Sequence, residues 1–149
     1  MKKVFFIGVL AIICSCSSSK KVVVDDREVL PSERVVINGQ AFLLTEISTD
    51  KSYGFTEKNP VRVGGVDKLE GPLNERRFLN ALAGPNGEKV SYYRLGSCCP
   101  FNTDKGFNGK GLLDNYKVTW EGSKDTVSIY INMYDYGQLK APVGFTIKK

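Results

Sequence analysis

Residues 114–120 read DNYKVTW and residues 126–136 read TVSIYINMYDY, and in both stretches apolar and polar side chains alternate. The apolar positions are Tyr116, Val118 and Trp120 in the first stretch, and Val127, Ile129, Ile131 and Met133 in the second. A period of two is typical of β-strands that bury one face. The intervening residues, EGSKD, therefore predict the turn of a hairpin.

Shorter segments on either side predict further strands. The runs RVVI (34–37) and QAFLL (40–44) flank Asn38 and Gly39, a dipeptide that suits a type I′ hairpin turn. Three more strands are expected in NPVRVGG (59–65), KVSYYRL (89–95) and PVGFTI (142–147). The last of these is expected to close the sheet.

One helix is predicted within GPLNERRFLNALAGPNG, residues 71–87. Asn74 is a suitable N-terminal cap, and Gly84 followed by Pro85 ends the helical pattern. About six or seven strands and this one helix predict an α+β fold, with the helix packed on a mainly antiparallel sheet. We expect residues 34–149 to form a single domain.

The N-terminus, MKKVFFIGVLAIICSCSSSKK, has two lysines and then an apolar run that begins at Val4 and ends at Ile13. Ten residues rise about 15 Å as a helix, whereas the hydrocarbon core of a bilayer is about 30 Å thick. The run is therefore too short for a membrane span and predicts an export signal.

The apolar run ends at cysteine and so resembles a bacterial lipoprotein signal, which implies acylation of one cysteine. Cys16 fits that pattern, because Ile13 lies three residues before it and the small Ser15 directly before it. Cys14 fits less well, since the bulky Ile13 would occupy the cleavage position. We expect a signal peptide at 1–15 and a lipidated N-terminus and tether at 16–33. The alternative is an ordinary secreted protein.

Ser17, directly after the acylated residue, resembles the sorting signal for the outer membrane. We expect the lipid anchor to lie in the periplasmic leaflet of that membrane. Removal of Lys2 and Lys3 with the signal leaves 19 basic against 16 acidic side chains, and this mild charge lacks the dense basic stripe of a nucleic-acid binder. The expected partners are the membrane and an envelope protein complex, not nucleic acid.

Histidine is absent from the chain, which excludes catalytic mechanisms that need an imidazole and zinc sites with histidine ligands. No spacing pairs two of its carboxylates, among them Glu70, Glu75, Asp104, Asp114, Glu121 and Asp135. We therefore expect no catalytic residues, no metal and no cofactor.

Cys98 and Cys99 are adjacent within GSCCPF, residues 96–101. Once the signal is cleaved and Cys16 acylated, these two are the remaining thiols. Three interpretations stay open: a vicinal disulfide, favoured by an oxidising compartment, two reduced and partly buried thiols, and a reactive redox pair.

The residues that follow, 100–114, predict a glycine-rich loop, and loops held on a rigid scaffold often bind ligands. Phe101 and Phe107 in this loop, with Arg94 on the preceding strand, are the candidate ligand-binding residues. The loop matches neither a calcium-binding loop nor a phosphate-binding loop.

Several stretches between residues 53 and 146, including YGFTEKNPVRVGG, YYRLGSCCPF and YINMYDY, resemble a family of small lipoproteins from Bacteroidetes-type (flavobacterial) bacteria. The resemblance implies no established activity. Some members are labelled 2-dehydro-3-deoxyphosphooctonate aldolase, but that enzyme is a TIM barrel, a fold that needs about 250 residues. About 115 folded residues cannot form such a barrel.

Three functional hypotheses follow from the sequence. The first is a non-enzymatic lipoprotein of the cell envelope with a structural or accessory role. The second is a lipoprotein that binds a small ligand or glycan through the 100–114 loop and the tyrosine-rich strands. The third is an envelope enzyme. An exposed apolar patch would favour the first hypothesis, and a pocket shared by Arg94, Phe101 and Phe107 would favour the second.

Overall fold

The structure is a computed structural model that describes residues 34–149. The expected signal peptide (1–15), the acylation site Cys16 and the tether (16–33) lie outside the described residues. Within 34–149 the secondary structure comprises β1 (Val36–Ile37), β2 (Ala41–Phe42), β3 (Val61–Arg62), a 3-10 helix (Val66–Lys68), α1 (Gly71–Leu79), β4 (Leu82–Ala83), β5 (Val90–Phe107), β6 (Lys110–Trp120), β7 (Val127–Asn132) and β8 (Thr146–Ile147).

The alternating stretches form the centre of the main sheet, as predicted. Strands β5, β6 and β7 run antiparallel, with Tyr116 opposite Ile129 and Val118 opposite Val127. Val118, Ile129 and Ile131 are fully buried on the inner face. The turn between β6 and β7 is closed by the Ser123 amide, which donates to the Trp120 carbonyl at 2.9 Å. The fold is therefore broadly α+β, with a sheet whose inner face is dictated by the sequence period.

The number and direction of the strands differ from the expectation of one mainly antiparallel sheet with six or seven strands. The described residues form a mixed four-stranded sheet in the order β3-β7-β6-β5 and two ribbons, β1-β2 and β4-β8. β3 is parallel to β7, with Val61 opposite Ile131. A parallel pair requires a long crossover, and residues 63–126, which include α1, supply it.

The segment PVGFTI does not close the main sheet. Its strand β8 pairs instead with β4, where Leu82 lies opposite Ile147. The Lys148 amide also donates to the carbonyl of Ala81, at 2.9 Å, just after α1. The chain leaves α1 in an extended conformation, and β8 satisfies the backbone groups that this short segment exposes.

The first hairpin has the predicted turn. Asn38 and Gly39 both adopt positive φ angles, 49° and 71°, and the Gln40 amide donates to the Ile37 carbonyl at 2.9 Å. These angles suit asparagine and glycine, which tolerate the left-handed region at little steric cost. The turn pairs β1 with β2 directly, so these strands form their own ribbon.

The helix begins within the predicted segment but ends at Leu79, before the expected stop at Gly84 and Pro85, and Asn74 is not its cap. The residue before the helix is Glu70, and Asn74 lies inside α1, where its side-chain amide donates to the Gly64 carbonyl at 3.2 Å. Phe78 and Leu79 are fully buried in the core that Val118, Ile129 and Ile131 help to form. Complete burial of such a side chain contributes about 1.5–3 kcal/mol, so α1 is held on the sheet mainly by these two residues.

The predicted loop at 100–114 is mostly strand. β5 continues through the cysteines to Phe107, and β6 begins at Lys110. Asn108 and Gly109 make the turn with φ angles of 51° and 72°, like the Asn-Gly pair of the first hairpin. The long hairpin formed by β5 and β6 is called the 90–120 hairpin below.

Candidate functional site

All five residues that the sequence singled out in the folded region lie on the 90–120 hairpin, and all five belong to β5: Arg94, Cys98, Cys99, Phe101 and Phe107. β5 is an edge strand of the main sheet. The hairpin is thus the part of the described structure where a functional site is expected.

Arg94 forms a bidentate ion pair with Asp114 on β6. Its Nε lies 2.5 Å from Asp114 Oδ2, and its Nη2 donates to Asp114 Oδ1 at 2.8 Å. The Ser97 hydroxyl donates to the same Oδ1 at 2.8 Å and accepts from Arg94 Nη2. The hydrogen bonds to Asp114 raise the pKa of Arg94. A bidentate ion pair between arginine and a carboxylate is both strong and directional. The Arg94 side chain is therefore held against its own sheet.

Glu75, on α1, reaches the same polar cluster from inside the fold. The side chain is fully buried, and its Oε2 accepts a hydrogen bond of 2.8 Å from the Tyr116 hydroxyl. Its Oε1 has no hydrogen-bond partner in the described part of the chain. Burial, together with the neighbouring charge of Asp114, raises the pKa of Glu75 to about 8. The protonated, neutral form of Glu75 is therefore favoured at neutral pH.

The proximity of Glu75 and Asp114 was not predicted, because 38 residues and several elements lie between them. The strand period of β6 nevertheless carries a signal for the burial of Asp114. Asp114, Tyr116 and Val118 alternate along β6 at intervals of two residues. They therefore share one face of the strand, and the side chain of Asp114 points inward. A buried carboxylate requires partners, and Arg94 and Ser97 supply them here. Both carboxyl groups are buried, which makes the pair a structural link between α1 and the hairpin.

Cys98 and Cys99 are joined through their Sγ atoms in the structure, with their Cα atoms 3.7 Å apart. Cys98 lies opposite Leu113, and the register of the hairpin then shifts before Pro100. Cys99 is the extra residue of this bulge and adopts a positive φ of 57°. A bulge and a proline interrupt the exposed edge of a strand and oppose unwanted strand pairing. The vicinal bridge therefore shapes the edge of β5.

The two phenylalanines have different surroundings. The ring of Phe101 packs edge-on against Tyr134, with centroids 5.8 Å apart, and lies opposite Gly111. Phe107, beside the turn, is 86% exposed. Arg94 is engaged by Asp114, so the structure does not gather the three candidate ligand-binding residues around one cavity. Three grooves in the described residues are lined by other side chains.

Polar contacts fasten the distal half of the hairpin to the segment after β7. Thr103 Oγ1 donates to Asp135 Oδ1 at 2.8 Å, and Asn132 Nδ2 donates to Asp135 Oδ2 at 2.9 Å. In residues 34–149 no group of three or more acidic, cysteine or histidine side chains is placed to hold a metal ion. The tip of the hairpin is thus held in place by hydrogen bonds, and its most exposed aromatic residue is Phe107.

Comparison of the chain with protein-family models, curated proteins and solved structures found no match. Among the described residues, no helix has the length and apolar character needed to cross a bilayer.

Proposed function

We propose that the chain is a non-enzymatic accessory lipoprotein of the cell envelope, anchored through acylated Cys16 in the periplasmic leaflet of the outer membrane. In this proposal the tip of the 90–120 hairpin contacts a partner protein. The anchor is supported by the lysine pair, the short apolar run and the Ile13-to-Cys16 spacing. The contact is supported above all by one observation, the exposure of the Phe107 ring at the tip.

Other apolar side chains of the hairpin are also exposed, namely Tyr93, Leu95 and Leu112. Exposed apolar surface of this kind often marks an interaction site, and aromatic residues are enriched at the centre of protein interfaces. The Asp114 ion pair and the vicinal bridge restrain the same hairpin. A restrained surface loses less conformational entropy when it binds.

A non-enzymatic role is supported by the closed geometry of the polar cluster. Glu75 is fully buried and Asp114 nearly so, and Arg94 is already paired. A substrate would have to displace these contacts to reach either carboxyl group. The hypothesis of a small-ligand or glycan site loses its basis in Arg94, Phe101 and Phe107, because these residues have separate neighbours.

The anchor is tested by Cys16→Ser in the native host, with membrane fractionation and intact mass as readouts. We expect a soluble or uncleaved product that lacks the added mass of acyl chains. A variant that keeps the membrane distribution and mass of the wild type would contradict acylation at Cys16.

The partner contact is tested by cross-linking in whole cells, with Phe107→Ser compared against Leu69→Ser. Leu69 is 95% exposed but lies beside α1 rather than on the hairpin, so it is a matched control. We expect a cross-linked species that contains the chain to be lost in Phe107→Ser and kept in Leu69→Ser. Equal cross-linking in both variants would rule out the tip as the contact.

A further inference from the structure

Arg34, the first described residue, is held by backbone carbonyls rather than by a carboxylate. Its guanidinium donates to the carbonyl oxygens of Val63, Arg62 (3.0 Å) and Gly137 (2.7 Å). Burial lowers the pKa of Arg34 to about 10. Because carbonyl groups are neutral, the guanidinium keeps its full positive charge without a counter-ion among these contacts, and a partly buried charge of this kind is stabilised by a nearby anion.

A small cavity of about 80 Å³ is lined in part by Arg34 and is called the Arg34 pocket. Its polar lining consists of Arg34, Lys68, Glu70, Asn74, Arg77 and Tyr136. Arg77 is partly engaged, since its Nη1 donates to Asn74 Oδ1 at 2.9 Å and lies 3.4 Å from Glu70 Oε2. The Lys68 ammonium makes no ion pair or hydrogen bond with any described residue.

Positive charge exceeds negative charge around the pocket. Arg34, Lys68 and Arg77 line it against the single carboxylate of Glu70. One further acid is close, since Asp67 Oδ1 accepts a hydrogen bond of 3.1 Å from the Tyr136 hydroxyl. The local excess of cations favours an anionic occupant.

The charged side chains that line the pocket indicate which anion would suit it. The pocket is small, about 80 Å³, which suits one charged group rather than a whole lipid molecule. Arg34, Lys68 and Arg77 come from three different segments of the chain and all line the pocket. Arginine and lysine are both common phosphate ligands, so a phosphate group matches this lining.

We propose that the Arg34 pocket binds a phosphate group, and that in the cell this group belongs to an anionic phospholipid of the leaflet that holds the anchor. Arg34 directly follows the expected tether at 16–33, so the pocket lies where the tether enters the domain. The lipid as the source rests on the proposed anchoring at Cys16, whereas the phosphate chemistry rests on the pocket alone. A headgroup bound there would hold the domain close to the membrane surface.

Lys68 provides a direct reporter for the phosphate group. The acylated full-length protein in neutral detergent is treated with an amine-acetylating reagent, with and without inorganic phosphate, at an ionic strength kept constant with chloride. Mass spectrometry then compares acetylation of Lys68 with that of Lys58, an exposed lysine outside the pocket. We expect phosphate to slow acetylation of Lys68 at least threefold and to leave Lys58 unchanged. Equal protection of both lysines, or of neither, would overturn the site.

A second measurement does not depend on labelling. Addition of phosphate should raise the melting temperature of the wild type. The rise should be retained in Lys58→Gln and largely lost in Lys68→Gln. Binding to the native state raises its stability by mass action, so a lost rise reports weaker binding. If Lys68 is acetylated much more slowly than Lys58 even without an added anion, an acidic side chain of the protein itself fills the pocket. That result would also overturn the proposal.

The source of the phosphate is tested with the acylated protein in vesicles of phosphatidylcholine alone or with phosphatidylglycerol added, in phosphate-free buffer. Protection of Lys68 only when phosphatidylglycerol is present supports the lipid headgroup. Protection by inorganic phosphate but not by phosphatidylglycerol overturns the lipid source and leaves the phosphate site. The detergent experiment does not need membrane anchoring, so a failure at Cys16 and a failure of the pocket are distinguishable.

Discussion

The Tyr116 hydroxyl on β6 donates a hydrogen bond of 2.8 Å to the buried Glu75 carboxyl on α1, which joins two elements that lie far apart in the sequence. Asp114, two residues before Tyr116, adds its charge to the same cluster and is balanced by Arg94. The contact between helix and sheet is therefore polar at this point, although Phe78 and Leu79 make it apolar nearby.

Glu75→Gln should remove a pH dependence of stability. The folded-state pKa of Glu75 is raised from 4.5 to about 8, so the native protein holds a proton that the unfolded chain releases between these values. The free energy of unfolding should therefore fall as pH rises from about 4.5 to about 8, by an amount on the order of 5 kcal/mol at most. Glutamine keeps an acceptor for Tyr116 and does not ionise.

Urea unfolding at pH 5 and pH 9 measures this effect. The variant should match the wild type at pH 5 and exceed its stability at pH 9. Glu57→Gln, at an exposed position, is the control and should follow the wild type. A variant that loses as much stability as the wild type between the two pH values would assign the dependence to another group.

Gly64→Ala should destabilise the fold strongly. A Cβ atom at Gly64 would lie 2.4 Å from the Tyr136 ring, and the residue has a φ of +61°. The left-handed backbone alone costs a non-glycine residue about 1–2 kcal/mol, and the clash adds to that cost.

Gly87→Ala is the matched control, since Gly87 also has a positive φ, 91°, but open space around the new Cβ. Thermal unfolding should show a clearly larger loss of stability for Gly64→Ala than for Gly87→Ala. Equal losses would mean that the Tyr136 ring can move aside.

Phe101→Ala should lower the free energy of unfolding, whereas Phe107→Ala should leave it nearly unchanged, although both residues lie on β5. Phe101 packs against Tyr134, and truncation of a packed phenylalanine costs about 3–5 kcal/mol when the ring is fully buried. Phe101 is only partly buried, so about 2 kcal/mol is expected. Phe107 is exposed, and its truncation should leave the free energy of unfolding within about 0.5 kcal/mol of the wild type. Chemical denaturation of both variants checks this order, and a large loss in Phe107→Ala would show that its ring packs within the fold.

Cys98 and Cys99 should resist thiol reagents until a reductant is added. A bridge between them leaves no free thiol, so iodoacetamide should add no mass to either residue in the denatured, non-reduced protein. After reduction both should be labelled. Labelling of both residues before reduction would show that they are reduced thiols, and rapid labelling of one in the native protein would indicate a reactive cysteine.

The sequence predicted the inward faces of β6 and β7 and the Asn38-Gly39 turn correctly. It also predicted a helix in the right segment, although the cap was misassigned to Asn74 and the helix ends earlier, at Leu79. The turn at Asn108 and Gly109 was not predicted, because the glycines around it favoured the interpretation of a loop. The misreading of 100–114 arose because bulges at Leu95 and Cys99, and a further register shift between Asn102 and Phe107, hide the alternation of β5.

By itself, the sequence determined what is local: the buried side of β6 and β7, the turn at Asn38 and Gly39, and the segment that contains the helix. These properties depend on periodicity and on backbone sterics within a few residues. The tertiary structure alone decided that β3 runs parallel to β7, that Glu75 meets Asp114, and that Arg34 and Lys68 line one small cavity. Such pairings depend on how the whole chain packs around its core. The spacing of residues along the chain does not encode the distance between them in space.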